Sequence, residues 1–203
     1  MKTYKTDDSL FTEIFYPASY GTLDIVSWLN NNDIAMMRYV EDMDANEEAM
    51  LLDKKLDIYP GIKTFTVVSS SWQRIANAYL TIKSAFEQSL VMPKDTALLN
   101  IDSFEDFVFS LSDKKLGSGW YTALTPVKTW IYSPNNSIDY VFRYETIHED
   151  FKVFQEYFCS DTPLELKETE NFDPDWRSMY TEKTKDHIAK LFKEDIEYFN
   201  FKF

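Results

Sequence analysis

Apolar and polar positions along this chain switch repeatedly between strand-like and helix-like periods. The run "LFTEIFY", residues 10–16, reads as a strand that Pro17 ends. After the turn "ASYGT", Leu23, Val26 and Leu29 recur at helical spacing, Ile25 and Trp28 widen the apolar face, and Thr22 stands where a cap belongs. "KTFTVV", residues 63–68, is a second strand. Trp72, Ile75, Ala76, Tyr79, Ile82 and Phe86 then repeat with helical period across residues 71–90. Ser103 opens a helix that buries Phe104, Phe107, Val108 and Leu111. "SIDYVFRYE" is a third strand, and "HEDFKVFQEYF" a helix with Phe151, Phe154 and Phe158 on one face. "FDPDW" is a turn. The last helix starts near Thr181 and carries Ile188, Leu191, Phe192 and Ile196 inward, and the aromatic tail "YFNFKF" is expected to dock on the core. Residues 31–60 are polar and acidic, with helical fragments expected around "DIAMMRYV" and "NEEAMLLDKKL". Strands alternating with helices predict a helix-rich α/β fold with a parallel sheet.

Composition narrows the functions. At 203 residues, 44% of them hydrophobic and 17% aromatic, the chain supports one domain, residues 1–203, with a substantial core. Only four glycines occur, Gly21, Gly61, Gly117 and Gly119, which excludes a glycine-rich loop. Twenty-one Lys and Arg against 34 Asp and Glu give a formal charge of −13. That balance argues against nucleic acid as a partner, since such binding rests on cations meeting phosphates. It also means that a polyanionic cofactor needs a local cluster of positive charge. Cys159 is alone in an apolar helical pattern, so it reads as a core thiol, with no disulfide framework. No apolar run reaches 18 residues, and "MKTYKTDDSL" has no signal-like apolar stretch. The expectation is a cytoplasmic protein with no membrane partner. The run "EDMDANEE" lacks the Gly and terminal Glu of a calcium loop, and His148 and His187 have no metal-like spacing, so no metal site is expected.

The junction "TFTVVSSSWQRIANAYL", residues 64–80, holds the most chemistry. A strand, a short polar turn and a helix N-terminus form the usual cradle for an anion. Here the turn offers only serines. Ser70 and Gln73 also fit a capping box, which explains them without any ligand. Arg74 sits on the first helical turn, where the helix dipole disfavours a cation. It therefore calls for a partner, either a bound anion or a nearby carboxylate. "FYPASYGTL" is a second strand–turn–helix junction, where Gly21 permits close backbone approach and Thr22 brings a hydroxyl. There is no GxSxG elbow, no HExxH and no Ser-His-Asp order, so no catalytic residue is assigned.

Taken in order, these pieces resemble the sulfotransferase family that uses 3′-phosphoadenosine 5′-phosphosulfate (PAPS). "TFTVVSSSWQRIANAYL" is similar to the family's F-T-F-V-R-N-P-[WY]-D-R-L-V-S-A-Y, matching at Phe65, Thr66, Val68, Trp72, Arg74, Ala78 and Tyr79. "DYVFRYETIHEDF" resembles D-x-V-x-R-[FY]-E-x-[LI]-x-x-D-F, and "SFEDFVFSL" resembles S-F-E-E-F-V-x-x-L. The C-terminal "WRSMYTEKTKDHIAKLFKEDIEYFNFKF" is similar to the family's closing helix. "FYPASYGTL" then falls on the 5′-phosphosulfate loop H-I-P-K-T-[AG]-G-T-S, with Pro17, Gly21 and Thr22 matching. The resemblance implies a P-loop-like parallel sheet flanked by helices, as in nucleotide kinases. It also implies a cofactor site at Ser19, Gly21, Thr22, Ser69, Arg74 and Asn77.

The departures fall on the chemistry. Ala18 stands where the family has the Lys that neutralises the 5′-phosphate, and Ser69 where it has the Arg that grips the 3′-phosphate. Ser70-Ser71 replace its Asn-Pro, Asn77 replaces a Ser, Tyr20 a small residue, and Leu23 a Ser. Sulfuryl transfer depends on cations stabilising charge that develops on oxygen. Three readings follow. In the first, the chain is a sulfotransferase-like pseudoenzyme that binds no PAPS and serves as a partner-binding or structural component. In the second, it is an active transferase with a rearranged site, sulfating a hydroxyl or amine of a glycan or small molecule, with Arg74, Lys63 or Arg143 supplying charge from a new direction. In the third, the resemblance misleads and the chain is an α/β or mostly helical binding protein of another kind, a reading that a structure without a strand–loop–helix at both 10–29 and 64–90 would support.

Overall fold

A computed structural model describes residues 11–13, 22–32, 36–38, 63–88, 102–111, 124–131, 138–158, 160–166 and 175–203. The order of elements is β1 (Phe11–Glu13), α1 (Thr22–Asn31), β2 (Met36–Arg38), β3 (Lys63–Val68), α2 (Ser71–Glu87), α3 (Phe104–Ser110), α4 (Val127–Ile131), β4 (Tyr140–Arg143), α5 (Ile147–Tyr157), α6 (Glu182–Leu191) and α7 (Lys193–Phe199). Short 3₁₀ turns at Tyr144–Thr146 and Trp176–Met179 precede α5 and α6. The protein is a helix-rich α/β fold with a parallel sheet, and its described elements fall into two compact units.

The first unit holds the sheet, α1 and α5. Its strand order is β2-β1-β3-β4, and every pairing is parallel. Phe11 pairs with Lys63, and Phe65 with Tyr140, which fixes the register on both sides of β3. Side chains alternate across β3, so Phe65 and Val67 share one face. They pack with Ile25, Trp28 and Leu29 of α1, Phe142 of β4, and Phe151 and Phe154 of α5. Trp28 meets Phe151 edge to face at 5.0 Å between ring centres, and Phe154 meets Tyr140 the same way. Edge-to-face pairs of this kind add about 0.5–1.5 kcal/mol beyond the area they bury. Beyond α1, Asn32 Oδ1 accepts from the hydroxyls of Ser160 and Thr162, and Trp28 Nε1 donates to the Thr162 carbonyl at 2.8 Å. These bonds seat the segment 160–166, whose Leu164 completes the core.

The second unit is helical. Along α2, Trp72, Ile75, Ala76, Tyr79 and Ile82 are buried as the periodicity requires. Tyr79 packs against Phe104 and Phe107 of α3 at 5.4 and 5.3 Å. Trp72 Nε1 donates to the Lys185 carbonyl of α6. Ser103 caps α3 by accepting from the Asp106 amide, and Thr181 caps α6 in a reciprocal box with Thr184. The aromatic tail does dock. Asn200 adopts a left-handed conformation (φ 54°) that ends α7, the Phe201 amide donates back to the Ile196 carbonyl, and Phe203 sits among Trp72, Trp176 and Tyr180.

Two expectations need correction. Met36–Arg38, within "DIAMMRYV", forms β2 alongside β1 and is not helical. A short apolar run carries no decisive period, and pairing with a neighbouring strand decided it. The final helix is also broken. Phe192 leaves helical geometry (φ −110°, ψ 30°), so α7 starts afresh after α6. That restart lets Asp195 bond to the backbone at the start of α4. The expected helix around "NEEAMLLDKKL", Cys159, Leu23 and Val26 side chains, and most of "FYPASYGTL" lie outside the described residues.

Candidate functional site

The strand order sets where a ligand would sit. From β1 the chain passes to β2 on one side and to β3 on the other, so the topological switch point lies between β1 and β3. In open parallel sheets the crevice outside the carboxyl ends of such strands is the usual binding place. The segments leaving those ends are residues 14–21 and Ser69-Ser70, and both lead into helices. The strand–helix succession expected at both junctions is therefore present, with β1 before α1 and β3 before α2.

The second junction is fully described. Ser70 (φ −55°, ψ 142°) is the N-cap of α2, and its Oγ accepts from the Gln73 amide at 3.3 Å. The flanking serines do something different. Ser69 and Ser71 are both buried, and neither Oγ has a hydrogen-bond partner among the described residues. The same holds for both amide atoms of buried Asn77, two turns into α2, and for Thr66 Oγ1 on β3. Buried polar atoms normally find partners, and each one left without costs about 1–3 kcal/mol. Native structures hold few of them. In each unit such atoms, Thr66 and Ser69 in the first and Ser71 and Asn77 in the second, mark positions suited to a polar ligand or ordered water.

Arg74 answers the question its position raised. It is 1% exposed, and its Nη2 lies 3.1 Å from Asp195 Oδ2, itself fully buried on α7. Its Nη1 donates to the Thr125 carbonyl, and its guanidinium lies 5.0 Å from the centre of the Phe192 ring. Asp195 is also engaged at both oxygens. Oδ2 accepts from the Val127 amide at 2.7 Å, and Oδ1 from the Lys128 amide at 2.8 Å. The partner is thus a carboxylate of the chain itself. Sequence reasoning did not single out Asp195. Its signal was a charge inside the apolar stripe Ile188, Phe192, Phe199, at a position the helical period assigns to the interior.

Nearby, Tyr180 donates its hydroxyl to the Trp72 carbonyl at 2.7 Å. Burial pushes its phenol well above the usual range, against a smaller opposing pull from the Arg74 charge. Of the other cations considered, Arg143 is exposed and forms a bidentate pair with Asp150, which also accepts from the Arg143 amide and the Thr146 hydroxyl. Lys63 has its backbone in β3, and its side chain lies outside the described residues, as do Ser19, Gly21 and the side chain of Thr22. His148 is exposed on α5, and His187 lies edge-on to Phe109 at 5.3 Å. Among the described residues no group of three potential metal ligands occurs, and no helix is long and apolar enough to cross a membrane.

As a test of fit to PAPS, the segment 69–77 brings hydroxyl and amide groups, and its single cation, Arg74, is already held by a carboxylate. These residues do not supply the positive charge that a nucleotide polyphosphate analogue needs. No family model, curated protein or solved structure matches the chain.

Proposed function

We propose that this chain is a sulfotransferase-like protein that has lost PAPS binding and sulfuryl transfer and acts as a partner-binding or structural component. The resemblance of its motifs and the parallel sheet with helices after β1 and β3 support a P-loop-like ancestry. The observation that carries the loss of activity is the buried Arg74–Asp195 pair. The one cation matching the family's second loop is bonded within the fold, while Ala18 and Ser69 replace both anchoring cations.

One observation favours the second reading, an active PAPS-dependent transferase. The buried oxygens of Ser69 and Ser71 and the amide of Asn77 offer polar groups to an oxyanion without a cation.

Thermal unfolding with and without 3′-phosphoadenosine 5′-phosphate separates the two, because a ligand specific for the native state must raise its stability. The proposed function requires no shift, and no heat of binding by calorimetry. Micromolar binding overturns it. The double change Ala18→Lys and Ser69→Arg tests the alignment itself, and some recovered affinity is the expected result. No gain in a folded double variant counts against the assignment of these positions.

A further inference from the structure

We draw no further inference here: the strongest candidate, the side-chain cluster of Ser71 and Asn77 on α2, whose buried polar atoms have no hydrogen-bond partner among the described residues, belongs to the site already described.

Discussion

Replacing Asp195 with alanine should destabilise the protein more than any surface change of equal size. In the native fold its carboxylate meets Arg74 Nη2 and accepts the Val127 and Lys128 amides. Alanine leaves a guanidinium that is 1% exposed without its counter-ion. Removing one partner of a buried ion pair costs about 3–5 kcal/mol. The Val127 amide is buried too, and losing its acceptor adds about 1–3 kcal/mol where the two losses do not overlap. The Lys128 bond is only part-buried, so water replaces it at little cost. Domains of this kind are stable by about 5–15 kcal/mol, so the change removes about a fifth or more of the total. Urea unfolding at neutral pH, with the slope checked for constancy, measures it. The discriminating variant is Arg74→Met combined with Asp195→Ala. It removes the stranded charge, so the double variant should be more stable than Asp195→Ala alone by about 2 kcal/mol or more. The reasoning fails if Asp195→Ala lies within about 0.5 kcal/mol of the parent, the range of surface substitutions. It fails equally if the two changes simply add.

Three further outcomes follow from local geometry. Ser70→Ala removes the cap of α2 and should lower stability by about 1 kcal/mol in the same urea assay, whatever ligand the junction accepts. At Asp150, partial burial pushes the carboxyl up, but the bonds from the Arg143 side chain and amide and from Thr146 outweigh it and hold the group below the usual carboxylate range. A depressed folded value means stability present above pH about 4 and lost as pH falls below it. Asp150→Asn should therefore flatten the acid limb of a stability–pH curve, and an unchanged limb would refute the assignment. Tyr180 is the opposite case, since burial raises its phenol well above the usual range. Its contribution is fully present below pH about 10 and lost as pH rises from there. Tyr180→Phe should weaken the alkaline fall in stability, read by thermal melts at increasing pH.

What the sequence made legible was whatever local pattern alone decides. "KTFTVV" is β3 residue for residue, and Ser70, Ser103 and Thr181 are all caps with the hydroxyl bonded as their position implies. The Phe151–Phe154 face of α5 and the inward turn of Trp28 follow from helical period in the same way. What stayed hidden was decided by groups far apart in the chain. "DIAMMRYV" has too short a pattern to choose between helix and strand, and its pairing with Phe11–Glu13 chose. Arg74 announced that it needed a negative partner, but Asp195 lies 121 residues away. No local period could pair them. Asp195 itself was readable only as an anomaly, a carboxylate at an interior position just after the break at Phe192.

The Arg74–Asp195 bond also sets a limit on any anion at this junction that would use Arg74. Such a ligand must first separate the guanidinium from its carboxylate. If separation costs about 3–5 kcal/mol, as for other buried pairs, the competent state is populated at roughly one part in a hundred to one in several thousand. Apparent affinity through Arg74 falls by the same factor, about two to four orders of magnitude. Ser71 and Asn77, on the same helix as Arg74, have no such bond to break, because their buried polar side-chain atoms have no partner among the described residues. An anion that binds at the start of α2 without separating the pair must therefore use hydroxyl and amide groups. Its binding should depend little on ionic strength, unlike the charge-paired recognition of a nucleotide phosphate.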